Sequence, residues 1–182
     1  MSLKGGTKVY LVGGKRTPFG KFGGSLKDIT PVDLAVHAGK SLLSEISLDP
    51  KLIDQVILGN VVTSSTDTIY GGRHLALKLG CKTETPGVTI NRLCGSGIQS
   101  ILDATRLIKT GEAACVLAGG TENMSMVPHL TYGARFGTKY GSLKNVDMLL
   151  DALTDQYAGS PMGITAETLG AQFNVERADC DV

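Results

Sequence analysis

Four short apolar runs punctuate the chain: KVYLVGG from Lys8, QVILGNVV from Gln55, PGVTIN from Pro86 and ACVLAGG from Ala114. None shows the in-out alternation of a strand with one wet face, and each is bounded by glycine, proline or polar residues, as strands buried on both faces are. Between them lie stretches with helical periodicity. Strand and helix alternate four times, which predicts an α/β fold: a mostly parallel sheet covered by helices.

The helical stretches carry their own punctuation. From Thr30 to Ile46, Thr30 suits an N-cap, Pro31 suits the first helical position, and Leu34, Ala35, Ala38, Leu42 and Ile46 share one stripe. RHLALKLG is a shorter helix stopped by Gly80. After NRLCGSGIQSI (residues 91–101), Ile98, Ile101, Leu102, Thr105 and Ile108 recur at helical spacing until Gly111. Beyond Gly120 the period is lost in a long loop or loop-rich subdomain. MLLDALTD and TAETLGAQFNVERADCD then read as helices, the second with Thr165 as its cap and with Leu169 and Phe173 spaced by four. This organisation predicts a core domain over 1–123 and the beginning of a second region over 124–182. The chain stops one helix into that region, which reads as a piece of something larger.

Composition narrows the function. Eighteen basic against seventeen acidic residues leave a formal charge of +1. Neither sign forms a run suited to nucleic acid or to a membrane surface. No apolar stretch approaches the roughly 20 residues that span a bilayer, and MSLKGGTKVYLVGG lacks the apolar core of a secretory signal. Four cysteines without a CxxC pair fit reduced thiols inside a cell. Glycine, at 24 of 182 residues, is about twice its usual frequency and clusters at strand ends, where the backbone turns sharply or approaches something closely.

Cys94 falls where the third run gives way to a helix, the place where open parallel sheets bind ligands. The partial positive charge of a helix N-terminus favours a thiolate, and Gly95 and Gly97 would let an acyl group approach the backbone, with the Cys94 N–H helping to hold an oxyanion. A lone cysteine in apolar surroundings also packs as a small hydrophobe, so on chemistry alone nucleophile and core residue stand open together. Cys115, inside a strand, reads as core; Cys81 and Cys180 read as packing or surface residues. A base for Cys94 would have to be His37, His74 or His129. The first two lie in helices and read as structural or surface residues, nothing in the spacing ties His129 to Cys94, and the three do not form a metal cluster.

Four segments, KRTPFGKFGGSLKD, NRLCGSGIQSI, VLAGGTENMSMVP and MGITAETLGAQFNVER, resemble the thiolase family in order and spacing, over almost the whole chain. RFGTKYGS and LTDQYAGSPM are most similar to 3-ketoacyl-CoA thiolases of fatty-acid oxidation, with acetyl-CoA acetyltransferases next. Pro161 stands where the latter often carry a histidine. The resemblance implies the N-terminal half of a thiolase fold plus the start of its inserted loop domain. It implies an acyltransferase that cleaves 3-ketoacyl-CoA with coenzyme A, or runs the reverse Claisen condensation, through an acyl group on Cys94. It implies that Leu153 and Met162 contact the CoA pantetheine and the acyl group, that coenzyme A enters as substrate with no permanently bound cofactor or metal, and that subunits pair as a homodimer or tetramer. Such an enzyme would be cytoplasmic, or mitochondrial in a eukaryote. The family's GHP histidine, NEAF asparagine and second cysteine motif do not occur in the sequence, so this chain alone is expected to be inactive. A non-catalytic acyl-CoA or lipid-binding member of the fold is the alternative. A cysteine hydrolase would need His74 or His129 within about 3.2 Å of the Cys94 sulfur, or linked to it by one water.

Overall fold

The structure, a computed structural model, describes residues 6–182, so the first residues of the segment read above for a secretory signal lie outside the described residues. The chain divides into two compact units, Met1–Val127 and Pro128–Val182.

In the first unit, helix α1 (Pro31–Glu45) starts where the sequence places it: Thr30 is extended and its hydroxyl accepts from the Asp33 N–H at 3.1 Å. Strand β1 (Gln55–Gly59), helix α2 (Gly71–Leu79), strand β2 (Gly87–Ile90), helix α3 (Ser96–Thr110) and strand β3 (Val116–Gly120) follow. Gly80 and Gly111 end α2 and α3 in the left-handed conformation, at φ 88° and 79°. The sheet order is β2-β1-β3, all parallel, with Gly59 opposite Ile90 on one side and Gly120 on the other.

The central strand explains the unbroken apolar run, since Val56, Ile57 and Leu58 are all buried. Val56 and Leu58 join Val32, Val36, Leu43, Leu75, Ala76 and Leu79 of α1 and α2 in the core cluster. Side chains alternate along a strand, so Ile57 and Gly59 face the other side, where Gly59 meets Ser96 at the start of α3.

Three local expectations in the first unit are corrected. KVYLVGG forms no strand: residues 7–20 carry no ladder, and Tyr10, Leu11 and Val12 are 71–83% exposed. Apolarity signals a need for cover without naming its partner. Here the segment touches α1 at Gly13, where a Cβ would lie 2.8 Å from Leu42 Cδ1, and Lys15 pairs with Glu45. Strand and helix therefore alternate three times within the sheet. On α1 the buried stripe is Val32, Val36, Gly39 and Leu43; Leu42 and Ile46 are only half-buried, on the side that meets Gly13. On α3 the buried residues are Ser96, Ser100 and Ala104, whereas Ile98 is 65% and Leu102 41% exposed. Close seating against strand ends selects small side chains in the first turn of α3, while Ile101, Thr105 and Ile108 of the apolar stripe are half-buried.

In the second unit, β4 (His129–Thr131) pairs antiparallel with β5 (Asn145–Asp147) across the loop-rich stretch. Helix α4 (Met148–Ala152) is capped by Asp147, whose carboxylate accepts from the Leu149 N–H at 2.8 Å. The two-residue strands β6 (Thr154–Asp155) and β7 (Ser160–Pro161) lead into α5 (Met162–Phe173) and α6 (Arg177–Cys180). Helix α5 begins three residues before the predicted cap, so Thr165 is internal, its place at the N-cap being taken by Pro161. No residue of 128–182 is buried.

Candidate active site

Strand β2 releases the chain at Ile90, α3 takes it up at Ser96, and residues 91–95 make the corner between them. Cys94 lies one residue before the N-cap Gly95, and its side chain is exposed. Within this chain, then, Cys94 is not packed as a small buried hydrophobe.

The corner is tightly determined. Leu93 has φ 48°, a left-handed conformation that a bulky residue adopts only under constraint. Its N–H donates to Asn91 Oδ1 at 2.9 Å, and its carbonyl accepts from Ser96 Oγ at 2.6 Å and the Ser96 N–H at 3.0 Å. Ser96 Oγ in turn accepts from the Arg92 N–H at 2.8 Å, and the Gly95 N–H donates to the Arg92 carbonyl at 3.1 Å.

Glycines let this corner sit directly on the sheet. A Cβ at Gly59 would lie 2.8 Å from the Ser96 carbonyl carbon, and one at Gly120 would lie 3.4 Å from Gly97 Cα. The start of α3, with its partial positive charge, thereby rests on the C-terminal ends of β1 and β3.

The residues after β3 fasten the neighbouring loops. The Thr121 hydroxyl donates to the Pro31 carbonyl at 2.7 Å. The Glu122 carboxylate accepts from the Val61 N–H and Asn60 Nδ2, both at 2.9 Å, and from the Val62 N–H at 3.3 Å. Burial pushes the Glu122 carboxyl above its ordinary pKa, outweighing those hydrogen bonds, which act the other way. Asn123 Nδ2 donates to the carbonyls of Leu26, Lys27 and Ile29. Sequence reading missed Asn91, Glu122 and Asn123. The available signal was a polar cluster, TEN, directly after a parallel strand, where such sheets build their sites.

Among the described residues of the first unit, no histidine is hydrogen-bonded to Cys94. His37 is exposed on α1, His74 stacks on Tyr70 with ring centroids 5.2 Å apart, and His129 is exposed on β4 of the second unit. Among the described residues the Cys94 sulfur makes no hydrogen bond, and no three His, Cys, Asp or Glu side chains gather as a metal site. Cys81 lies in the core, Cys115 packs against it, and burial pushes both thiols up. Cys180 is exposed. In the second unit Leu153 and Met162 are brought together across β6 and β7: the Met162 N–H donates to the Leu153 carbonyl at 3.2 Å, and both side chains are partly exposed.

Fold and corner define an α/β domain that presents a cysteine thiol at a strand-to-helix turn above a parallel sheet. Residues 9–182 match the family model described as "Thiolase, N-terminal domain", and the chain belongs to the thiolase family. It is 50% identical over 174 residues to "3-ketoacyl-CoA thiolase, mitochondrial" of Rattus norvegicus, covering 95% of this chain and 44% of the relative. It is 43% identical over 176 residues to "Probable acetyl-CoA acyltransferase" of Staphylococcus aureus, covering 96% and 44%. The crystal structure of human mitochondrial 3-ketoacyl-CoA thiolase in complex with CoA superposes with a TM-score of 0.89 at 50% identity, over 92% of this chain and 42% of that one. The chain thus spans less than half the length of the relatives it matches. Among the described residues no helix is long and apolar enough to cross a membrane.

Proposed function

We propose that this chain supplies the acyl-carrying cysteine of a 3-ketoacyl-CoA thiolase. The observation that carries the reading is the exposed thiol of Cys94 at a corner seated on the sheet by Gly59, Gly97 and Gly120. The Cys94 thiolate attacks the 3-keto carbon, the C2–C3 bond breaks, and the departing enolate of acetyl-CoA takes up a proton. The thiol of a second CoA then attacks the acyl-cysteine thioester, releasing a shortened acyl-CoA and restoring the Cys94 thiol. The Cys94 N–H, at the start of α3, contributes to the oxyanion site.

Among the described residues no histidine is hydrogen-bonded to Cys94, and the chain spans 44% of its rat relative; this reading therefore assigns the base and the second proton-transfer group to further chain and expects no turnover from these 182 residues alone. Leu153 and Met162 form the part of the second unit that meets pantetheine and acyl chain. The working protein is a homodimer or tetramer in a compartment that holds acyl-CoA, the cytoplasm or the mitochondrion.

The test supplies the chain with the C-terminal half of a thiolase and acetyl-CoA, then maps acetylation by peptide mass spectrometry. An acetyl group on Cys94, absent from Cys94→Ser, is expected. Acetylation elsewhere, or none in a complemented protein that cleaves 3-ketoacyl-CoA, overturns the assignment. Turnover by the 182 residues alone at the rate of an intact thiolase overturns the need for further chain.

A further inference from the structure

The corner that carries Cys94 is tied to the segment just after β3 by an unbroken chain of hydrogen bonds. The Glu122 carboxylate accepts from the Val61 N–H at 2.9 Å; the Val61 carbonyl accepts from Asn91 Nδ2 at 3.2 Å; Asn91 Oδ1 accepts from the Leu93 N–H at 2.9 Å. Leu93 is the left-handed residue immediately before the cysteine. Both ends of the Asn91 amide are used, and turning it over would set oxygen against carbonyl and NH2 against N–H, so its orientation is fixed by its neighbours.

We infer that Asn91 and Glu122 are positioning residues for Cys94. Glu122 sets the loop at Val61, Val61 sets the Asn91 amide, and Asn91 holds Leu93 in the strained conformation that aims the next side chain. A left-handed leucine persists only where its surroundings over-determine it. Released from Asn91, it relaxes toward ordinary φ, and the Cα–Cβ bond of Cys94 swings with the peptide plane away from the α3 N-terminus. The inference rests on the reading of Cys94 as the nucleophile.

Alkylation of the chain by iodoacetamide tests it without acyl-CoA. Peptide mass spectrometry gives the rate at Cys94, with exposed Cys180 as internal reference and buried Cys81 as a reporter of unfolding. Asn91→Ala is expected to lower the Cys94-to-Cys180 rate ratio at least about threefold, within the range of one lost hydrogen bond. Asn91→Ser, whose hydroxyl can accept from the N–H two residues on, recovers part of that loss, and Glu122→Gln also lowers the ratio. A smaller fall in Asn91→Ala, or no recovery in Asn91→Ser, overturns the proposal. Should Asn91→Ala open Cys81 to alkylation, Glu122→Gln decides, and an unchanged ratio there overturns it. Wild-type Cys94 reacting no faster than Cys180 would defeat the nucleophile reading and this inference with it; a fast Cys94 indifferent to the variants defeats this inference alone.

Discussion

Gly59, the last residue of β1, touches Ser96, the first residue of α3, backbone to backbone: a Cβ on Gly59 would lie 2.8 Å from the Ser96 carbonyl carbon and 2.9 Å from its oxygen. Neither group is the far end of a flexible side chain, so neither can swing aside. Gly59→Ala is expected to lift α3 off the sheet and to destabilise the first unit by about 1–3 kcal/mol, the usual cost of overpacking. Gly119→Ala, whose Cβ would meet nothing within 4 Å, is the control. Urea midpoints that fall equally for the two variants would contradict the contact.

Glu122 gives a pH signature of definite sign. Its folded pKa is raised above the ordinary 4.5, chiefly by burial. The stability it contributes is therefore fully present below the unfolded value and lost as pH rises through the raised one. Glu122→Gln cannot titrate, so the stability of wild type relative to Glu122→Gln should decline from pH 4 to pH 7. Asp33 and Asp54, whose pKa values are lowered, act in the opposite direction but are common to both proteins and cancel. A difference that stays flat or rises with pH would refute this assignment.

The exposed and buried thiols should respond differently to the same change. Cys94→Ser is expected to leave the unfolding midpoint within about 0.5 kcal/mol of wild type, as for most surface substitutions. Cys81→Ser places a hydroxyl in the core cluster and should cost about 1–3 kcal/mol. Equal losses would mean that Cys94 carries packing rather than chemistry.

Leu153 and Met162 offer adjacent, partly exposed side chains joined by one backbone hydrogen bond. Met162→Ala keeps that bond, so folding should be unaffected. If this face meets the acyl-CoA, calorimetric titration should show binding weakened by about 1 kcal/mol or more, roughly fivefold in Kd. Unchanged affinity would remove Met162 from the contact.

Which elements could be read in the chain, and which could not, has a common physical cause. Turn and cap residues declare themselves locally, which is why Thr30, Gly80 and Gly111 bound their helices where the sequence places them. Continuous apolarity likewise marked β1, buried from both sides. Partner choice is non-local: Tyr10, Leu11 and Val12 have strand composition and no ladder. Helix faces were misassigned on α3 because apolar periodicity measures what wants cover, whereas the close approach of Gly59 and Gly120 to its first turn demanded small residues, Ser96 and Gly97. At the candidate site, the corner position of Cys94, exposed in the structure, was legible from the strand-to-helix change around it. Asn91 and Glu122 were not, since their roles depend on a loop thirty and more residues away.

The three consecutive residues after β3 also set an order of assembly. Thr121, Glu122 and Asn123 hold partners 90, 62 and 97 residues earlier in the chain. Contacts of such separation, like the β1–β3 pairing across 61 residues, carry a loop-closure cost that the local contacts within helices do not. Residues 26–31 and 60–62 therefore wait, unfastened, until β3 docks, and the turn at Leu93 waits with them. A refolding population is therefore expected to regain its helical signal before the Cys94 corner is fastened, and a Cys94 environment that forms together with the helices would refute this order.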